Sequence, residues 1–159
     1  MLHITLIAVG KIKESFFRDA VTEYAKRLSR YCRLEIAEVA DEKTPETASD
    51  AQADAIRGKE GERILAKIKE GDTVVALDIR GKEKSSEAFA EDIARYQMGG
   101  SRVVFVIGGS LGLSPAVLQR ADAKLSFSPM TFPHQLMRVI FLEQLYRGFR
   151  ILKGEPYHK

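Results

Sequence analysis

Five consecutive apolar residues, Val103-Val104-Phe105-Val106-Ile107, run into Gly108-Gly109, and a helix start follows at Ser114-Pro115. A strand with no polar alternation has both faces covered, which is the condition of a central strand in a parallel sheet flanked by helices. The glycines that close it leave room for a ligand to approach the backbone. In sheets of this kind the crevice lies beyond the carboxyl ends of the strands, and function is expected there.

The rest of the chain fits that frame. Leu2 to Val9 reads as a first strand closed by Gly10, and Phe17, Val21, Tyr24, Leu28 and Tyr31 then share one helical face. Leu34, Ile36 and Val39 make a second strand, and the polar stretch Asp41 to Asp50, with Pro45, is a loop. Ser49 with Gln52 three residues on is a capping box for a helix carrying Ile56, Ile64, Leu65 and Ile68. Gly58 and Gly61 should weaken that helix and predict a break in its middle. Thr73 to Ile79 is a third strand turned by Arg80-Gly81-Lys82, followed by a helix capped by Ser85 or Ser86 and stopped at Gly99-Gly100. Ala123, Leu125 and Phe127 alternate as a half-exposed fifth strand would, and a last helix runs from Pro133 to about Leu152. Five β-α repeats in 159 residues predict one domain over residues 1–159, an α/β fold with an open, mainly parallel sheet covered on both faces.

Composition excludes more than it assigns. Cys32 is alone, so no internal disulfide can form and a reducing cytoplasm is the expected setting. His3 interrupts the first apolar segment, which lacks a charged leader and a cleavage site, so neither a signal peptide nor a membrane span is expected. Lysine and arginine number 25 against 22 acids, a net charge of +3 that carries meaning only where it is clustered. Lys11, Lys13, Arg18, Lys26, Arg27, Arg30 and Arg33 are such a cluster, readable as a solvated helix face or as a phosphate-facing patch for nucleic acid. The last helix is apolar around most of its circumference, leaving Glu143, Arg147 and Arg150 as a polar stripe. Its second apolar side is covered either by a homodimer partner or by deep burial within one subunit.

Familiar chemistries mostly fall away. Gly10-Lys11, Gly58-Lys59 and Gly81-Lys82 are not followed by the Ser or Thr of a phosphate loop, and no Gly-x-Gly-x-x-Gly follows a strand. His3, His134, His158 and Cys32 have no zinc-ligand spacing, so no metal is expected. Gly108-Gly109-Ser110-Leu111-Gly112 matches a nucleophile elbow, with Asp122 and His134 in the hydrolase order. An elbow turns straight from its serine into a helix, whereas here the helix starts four residues beyond Ser110.

Close approach to a flat ligand suits the glycines better. The strand ends at Leu77-Asp78, Gly108-Gly109 and Phe127-Ser128 bring three loops to one crevice. Pro129 and Pro133 hold Met130-Thr131-Phe132 extended, so its free amides and carbonyls could read an adenine edge while Leu77, Met130 and Phe132 sandwich the ring. The two prolines also read as simple breaks between elements.

These residues resemble a known family. Ile107-Gly108-Gly109, Leu125-Ser126-Phe127-Ser128, Thr131-Phe132-Pro133-His134, Arg138, Glu143-Gln144-Leu145-Tyr146-Arg147 and Pro156-Tyr157-His158 are similar to the ribosomal large-subunit pseudouridine N3-methyltransferases of the RlmH type, in the SPOUT superfamily. Ala8-Val9-Gly10-Lys11 and Lys59-Glu60-Gly61 fit as well, and the resemblance spans the chain. It implies a homodimer, a C-terminal trefoil knot, and S-adenosylmethionine bound in bent form by Leu77, Gly108 and the segment Phe127, Ser128, Pro129, Met130, Thr131 and Phe132. The implied substrate is a pseudouridine in the intersubunit stem-loop of 23S rRNA, within the assembled 70S ribosome. His158 is then the expected base for the imide proton, Tyr157 stacks on or orients the target, and Arg138 or Arg147 stabilises the anion.

Overall fold

The computed structural model describes residues 1–159. Strands β1 (Leu2–Val9), β2 (Cys32–Val39), β3 (Thr73–Glu83), β4 (Val103–Ile107) and β5 (Ala123–Ser126) form one sheet in the order β2-β1-β4-β3-β5. Every neighbouring pair is parallel. Helices α1 (Ser15–Leu28), α2 (Asp50–Leu65), α3 (Ser86–Gly99), α4 (Pro115–Arg120) and α5 (His134–Leu152) alternate with the strands.

The period of two along each strand sorts the core into two layers. Leu6, Ala8, Val75, Phe105 and Ile107 face Leu28 of α1, Phe89 and Ile93 of α3, and Phe141, Leu142, Leu145 and Phe149 of α5. Ile7, Val9, Val74, Val104 and Val106 face Ile64 of α2 and Val117 of α4. Each fully buried Leu, Ile or Phe contributes about 1.5–3 kcal/mol, so the sheet needs both layers to be stable. The apolar run that made β4 central on paper is indeed the middle strand.

Local signals mark most boundaries. Ser49 and Gln52 make the reciprocal capping box of α2, with Gln52 N donating to Ser49 Oγ at 3.2 Å and Ser49 N to Gln52 Oε1 at 2.9 Å. Ser85 caps α3 through Ala88 N, and Ser114 caps α4 ahead of Pro115.

Two expectations fail for reasons of packing. Helix α2 runs unbroken through Gly58 and Gly61. Gly61 lies against the start of α4, where an added Cβ would fall 2.4 Å from Ser114 Oγ, so close approach of two helices outweighs about 1 kcal/mol of lost helix propensity. Strand β3 does not end at Ile79 but continues to Glu83. Leu77 and Lys82 both oppose Leu125, so the Arg80-Gly81-Lys82 turn is part of a bulge inside the strand. No helix is long and apolar enough to cross a membrane.

Candidate active site

Because all strands point the same way, Val9, Val39, Ile107 and Ser126 end on one side of the sheet, where β3 bulges after Leu77. A cleft of about 920 Å³ opens there, within the range of small-molecule sites. Its floor is Leu77, Ile107 and Leu125, and its walls are the β3 bulge, the loop Gly108–Leu113 and the segment from Phe127 to Pro133. Gly108 is required by close approach: a Cβ there would lie 2.8 Å from the Gly112 carbonyl carbon. Gly112 N donates to Gly109 O at 3.1 Å and closes the loop.

The segment Phe127–Phe132 is the unusual wall. None of its residues takes part in a backbone–backbone hydrogen bond. Met130 N turns onto Ser128 Oγ at 3.0 Å, and Ser126 Oγ donates to Ser128 O. Backbone groups left open at a cleft are groups a ligand can satisfy. An apolar floor with open amides and carbonyls along one edge suits a purine, whose ring is apolar and whose edge both donates and accepts.

Of the residues expected at the cofactor, Leu77, Gly108, Phe127, Ser128, Met130, Thr131 and Phe132 line this cleft. Pro129 does not, because the Ser128–Met130 turn puts it at the exposed outer corner. Sequence reading missed Asp54 and Arg57 of α2 on the rim, as well as His134 and Met137. Arg57 Nη1 donates to Leu111 O at 3.3 Å and ties α2 to the glycine loop, a contact with no local signal.

The four residues expected to act on the acceptor lie elsewhere. Arg138 is 1% exposed. Its guanidinium donates to Glu38 Oε2 at 2.6 Å and to the carbonyls of Gly10 and Val9 at 2.6 and 3.2 Å. Those donors clamp α5 to the ends of β1 and β2, so Arg138 is a structural cation here and not an open anion stabiliser.

Arg147, Tyr157 and His158 are together, about three turns or 15 Å along α5 from Met137. Arg147 grips Glu143 Oε1 through Nε and Nη2 at 3.0 and 2.7 Å, and its Nη1 lies 3.1 Å from His158 Nδ1. His158 Nε2 is 2.7 Å from Glu87 Oε1 of α3. Those partners assign the proton to Nε2 and make Nδ1 the acceptor. The Tyr157 hydroxyl donates to Glu143 at 3.1 Å, and its ring lies 5.0 Å from that of Tyr146. Burial first, then the Glu143 charge, pushes the phenol up to about 12, so it stays a donor. The tail is docked rather than frayed.

The basic cluster is divided. Arg27 is paired with Glu23 at 2.7 Å and Arg18 donates to the carbonyls of Ile12 and Lys13, whereas the Lys11 and Lys13 side chains are exposed beside a second, smaller cavity. No hydrolase triad assembles: Ser110 Oγ faces Thr44 Oγ1 at 3.5 Å, while Asp122 accepts from Val74 N at the far end of the sheet. Cys32 is buried, and burial pushes its thiol up to about 12, which removes it as a nucleophile. No cluster of His, Cys, Asp and Glu could hold a metal ion.

The family model described as Predicted SPOUT methyltransferase matches residues 2–158. Ribosomal RNA large subunit methyltransferase H of Clostridium kluyveri (strain ATCC 8527) is 58% identical over 159 residues, covering 99% of this chain and 100% of its own. The protein of that name from Limosilactobacillus reuteri (strain DSM 20016) gives the same identity and coverage. Among solved structures, the TrmH/SpoU tRNA modifying enzyme of A. aeolicus aligns at a TM-score of 0.53 and 15% identity, over 97% of this chain and 78% of that one. A protein from Haemophilus influenzae Rd KW20 described as a probable methylase family protein aligns at 0.56 and 13%, over 100% and 72%. At these identities the structural likeness speaks to the fold, and it agrees with the full-length sequence matches. The chain belongs to the SPOUT methyltransferase family.

Proposed function

We propose that this methyltransferase modifies N3 of a pseudouridine in the intersubunit stem-loop of 23S rRNA, on the assembled 70S ribosome in the cytoplasm. It is an S-adenosylmethionine-dependent methyltransferase of ribosomal RNA, as its family and full-length relatives indicate. The observation that carries the reading is the three-loop cleft, whose wall at Phe127–Phe132 makes no backbone–backbone hydrogen bond. Leu77, Gly108 and the segment Phe127, Ser128, Met130, Thr131 and Phe132 are the residues we assign to the cofactor, with Pro129 fixing their turn. The bound cofactor supplies an electrophilic methyl group on a sulfonium.

The protein's own task is to make the acceptor nucleophilic. A neutral imide nitrogen is a poor nucleophile, so the N3 proton must be taken and the resulting charge held. His158, Tyr157 and Arg147 are our candidates. As the target base arrives, Arg147 moves from His158 Nδ1 to an imide oxygen, and the freed Nδ1 takes the N3 proton while Glu87 steadies the imidazolium. Tyr157 remains a neutral phenol that stacks on or orients the base.

The distance of this trio from the cleft along α5 supports a homodimer, in which the tail of one protomer serves the cleft of the other. Half-buried Leu136, Val139 and Ile140 leave α5 apolar surface for such a contact. We include the trefoil knot and a single unit over residues 1–159. After β5 at one edge of the sheet, the chain returns across the strand ends to Val9 and Gly10, a path compatible with a knot.

The test is methyl transfer from labelled cofactor to 70S particles and to free 23S rRNA, with the product nucleoside mapped. Transfer to the 70S pseudouridine is expected, together with loss of activity in His158→Ala. Transfer to another position, or undiminished His158→Ala activity, removes the respective part of the reading. Ribosome binding should also weaken steeply with salt if the Lys11 to Arg33 cluster meets phosphates.

A further inference from the structure

Methyl transfer needs a donor site and an acceptor site that touch. A second cavity of about 350 Å³ lies beside the cleft, lined by Gly10, Lys11, Lys13, Glu38, Asp41 and Gln135 among others. Lysines and carboxylates line it, where Leu77, Ile107 and Leu125 floor the cleft, and only His134 lines both. The open side of Gly10 fixes the geometry. A point at its absent Cβ would be 3.6 Å from Asp41 Cγ and 3.7 Å from His134 Cε1, so a carboxylate and an imidazole flank one small space.

The two side chains offer opposite hydrogen-bonding roles. His134 Nδ1 is enclosed and has no partner, and Nε2 makes no hydrogen bond. Burial first and the neighbouring Arg138 cation second hold the His134 ring below its ordinary pKa, so it is neutral near pH 7. A neutral ring carries one proton, and with it on Nε2 the ring can donate one hydrogen bond. Asp41 can only accept when ionised, and no ion pair occupies it. Glu38, by contrast, is neutralised by Arg138.

Resting on the function proposed above, we propose that this second cavity receives the splayed-out target nucleotide, with Asp41 accepting from N1–H of the base and His134 donating to the adjacent O2. Pseudouridine carries both groups on one edge next to N3, while uridine has no N1–H because its N1 bears the ribose. The juxtaposition therefore leaves N3 facing the cleft across His134 and discriminates the two bases by one charge-assisted hydrogen bond. His134 also stabilises the oxygen on which charge collects when the N3 proton leaves, leaving the other imide oxygen to Arg147. Lys11 and Lys13 at the mouth hold the flanking phosphates.

The test uses the full chain, 70S particles carrying either pseudouridine or uridine at the target, and S-adenosylmethionine. His134→Ala should lower kcat about 100-fold while cofactor affinity by calorimetry stays within about twofold, and His134→Asn, which keeps a donor, should recover much of it. Asp41→Ala should lower transfer to pseudouridine and shrink the preference over uridine by about tenfold or more, and Asp41→Asn, which keeps an acceptor, should hold more of that preference. Lys11→Ala with Lys13→Ala should raise KM for the particle. Full turnover by His134→Ala, a cofactor affinity that falls in step with its kcat, or an unchanged base preference in Asp41→Ala would overturn the assignment. Failure of the wild-type protein to methylate either particle is a different result, which overturns the rRNA reading and this inference with it.

Discussion

At the amino ends of the strands, Asp72 accepts from Lys69 N at 2.7 Å and from Arg102 Nε and Nη2 at 3.0 and 2.6 Å. Arg102 also reaches Thr5 Oγ1 and Lys67 O, and Arg120 caps the carbonyls of Lys69, Glu70 and Asp72. At the carboxyl ends, Glu60 Oε1, His134 Nδ1 and Arg138 Nε are buried without partners, and the wall Phe127–Phe132 makes no backbone–backbone hydrogen bond. One end of the same sheet closes its polar groups on each other, and the other keeps them for something outside the chain. Unsatisfied buried polar atoms are costly, so their concentration beside the cleft marks where stability has been given up for binding. His3 Nε2, 3.6 Å from Glu35 Oε2, and Arg150 Nε, whose guanidinium reaches Tyr31 ahead of β2, are also buried without hydrogen bonds and show that the division is a tendency of the two ends rather than a rule for each atom.

The largest effect should come from breaking the closed end. Arg102→Ala strands the buried Asp72 carboxylate, and unfolding in urea should show a loss of about 3 kcal/mol, with cofactor affinity of the folded protein unaltered. A loss below about 1 kcal/mol would mean the network behaves like an exposed ion pair. The pH dependence has a fixed sign. Arg102, then the Lys69 amide, holds the Asp72 carboxyl below its usual range. Its stabilisation is therefore complete above the unfolded value of about 3.9 and is lost as pH falls through the folded one. Arg102→Ala should flatten that acid limb.

Gly108→Ala is the matching break at the open end. A methyl group there meets the backbone of Gly112 at 2.8 and 2.9 Å, and backbone cannot swing aside as a long side chain would. The loop must shift, so cofactor affinity should fall at least about tenfold, or 1.4 kcal/mol, while stability changes by less than in Arg102→Ala. Equal losses of stability in the two variants would erase the distinction between the ends.

How much of this was legible depends on whether the deciding contact is local. Val103–Ile107 announced a central strand because burial on both faces removes alternation, and Ser49 with Gln52 announced a helix start because the capping bonds span three residues. The three-loop cleft followed from parallel strands ending on one side. The unbroken α2 was not legible, since Gly61 answers to Ser114, which is remote in sequence. Nor was the role of Arg138, whose partners Val9, Gly10 and Glu38 are more than ninety residues away, nor the cavity between Gly10, Asp41 and His134. Pattern supplied the sheet and the crevice, but which cation was free and which was already committed is a property of tertiary contacts alone.

The smallest effect should sharpen the comparison by having the opposite sign. Glu60 is 4% exposed, and its Oε2 accepts from Glu42 N at 3.0 Å while Oε1 lies unpaired behind Gly109. Burial raises its carboxyl above the ordinary value, with Asp41 and Glu42 adding to the rise and the Glu42 amide and Arg63 opposing it. A carboxyl raised in the folded state binds its proton more tightly there than in the unfolded chain. It therefore subtracts stability above the folded pKa, and the penalty disappears as pH falls below about 4.3, its unfolded value. Glu60→Gln keeps an acceptor for Glu42 N and removes the charge, so it should gain up to about 1 kcal/mol near pH 7 and nothing near pH 4. A variant that is destabilised equally at both pH values would mean that the carboxylate is satisfied after all. Stabilisation accompanied by weaker cofactor or ribosome binding would show what the uncompensated charge behind the glycine loop contributes, and would set Glu60 beside Asp72 as the same kind of group used for opposite ends.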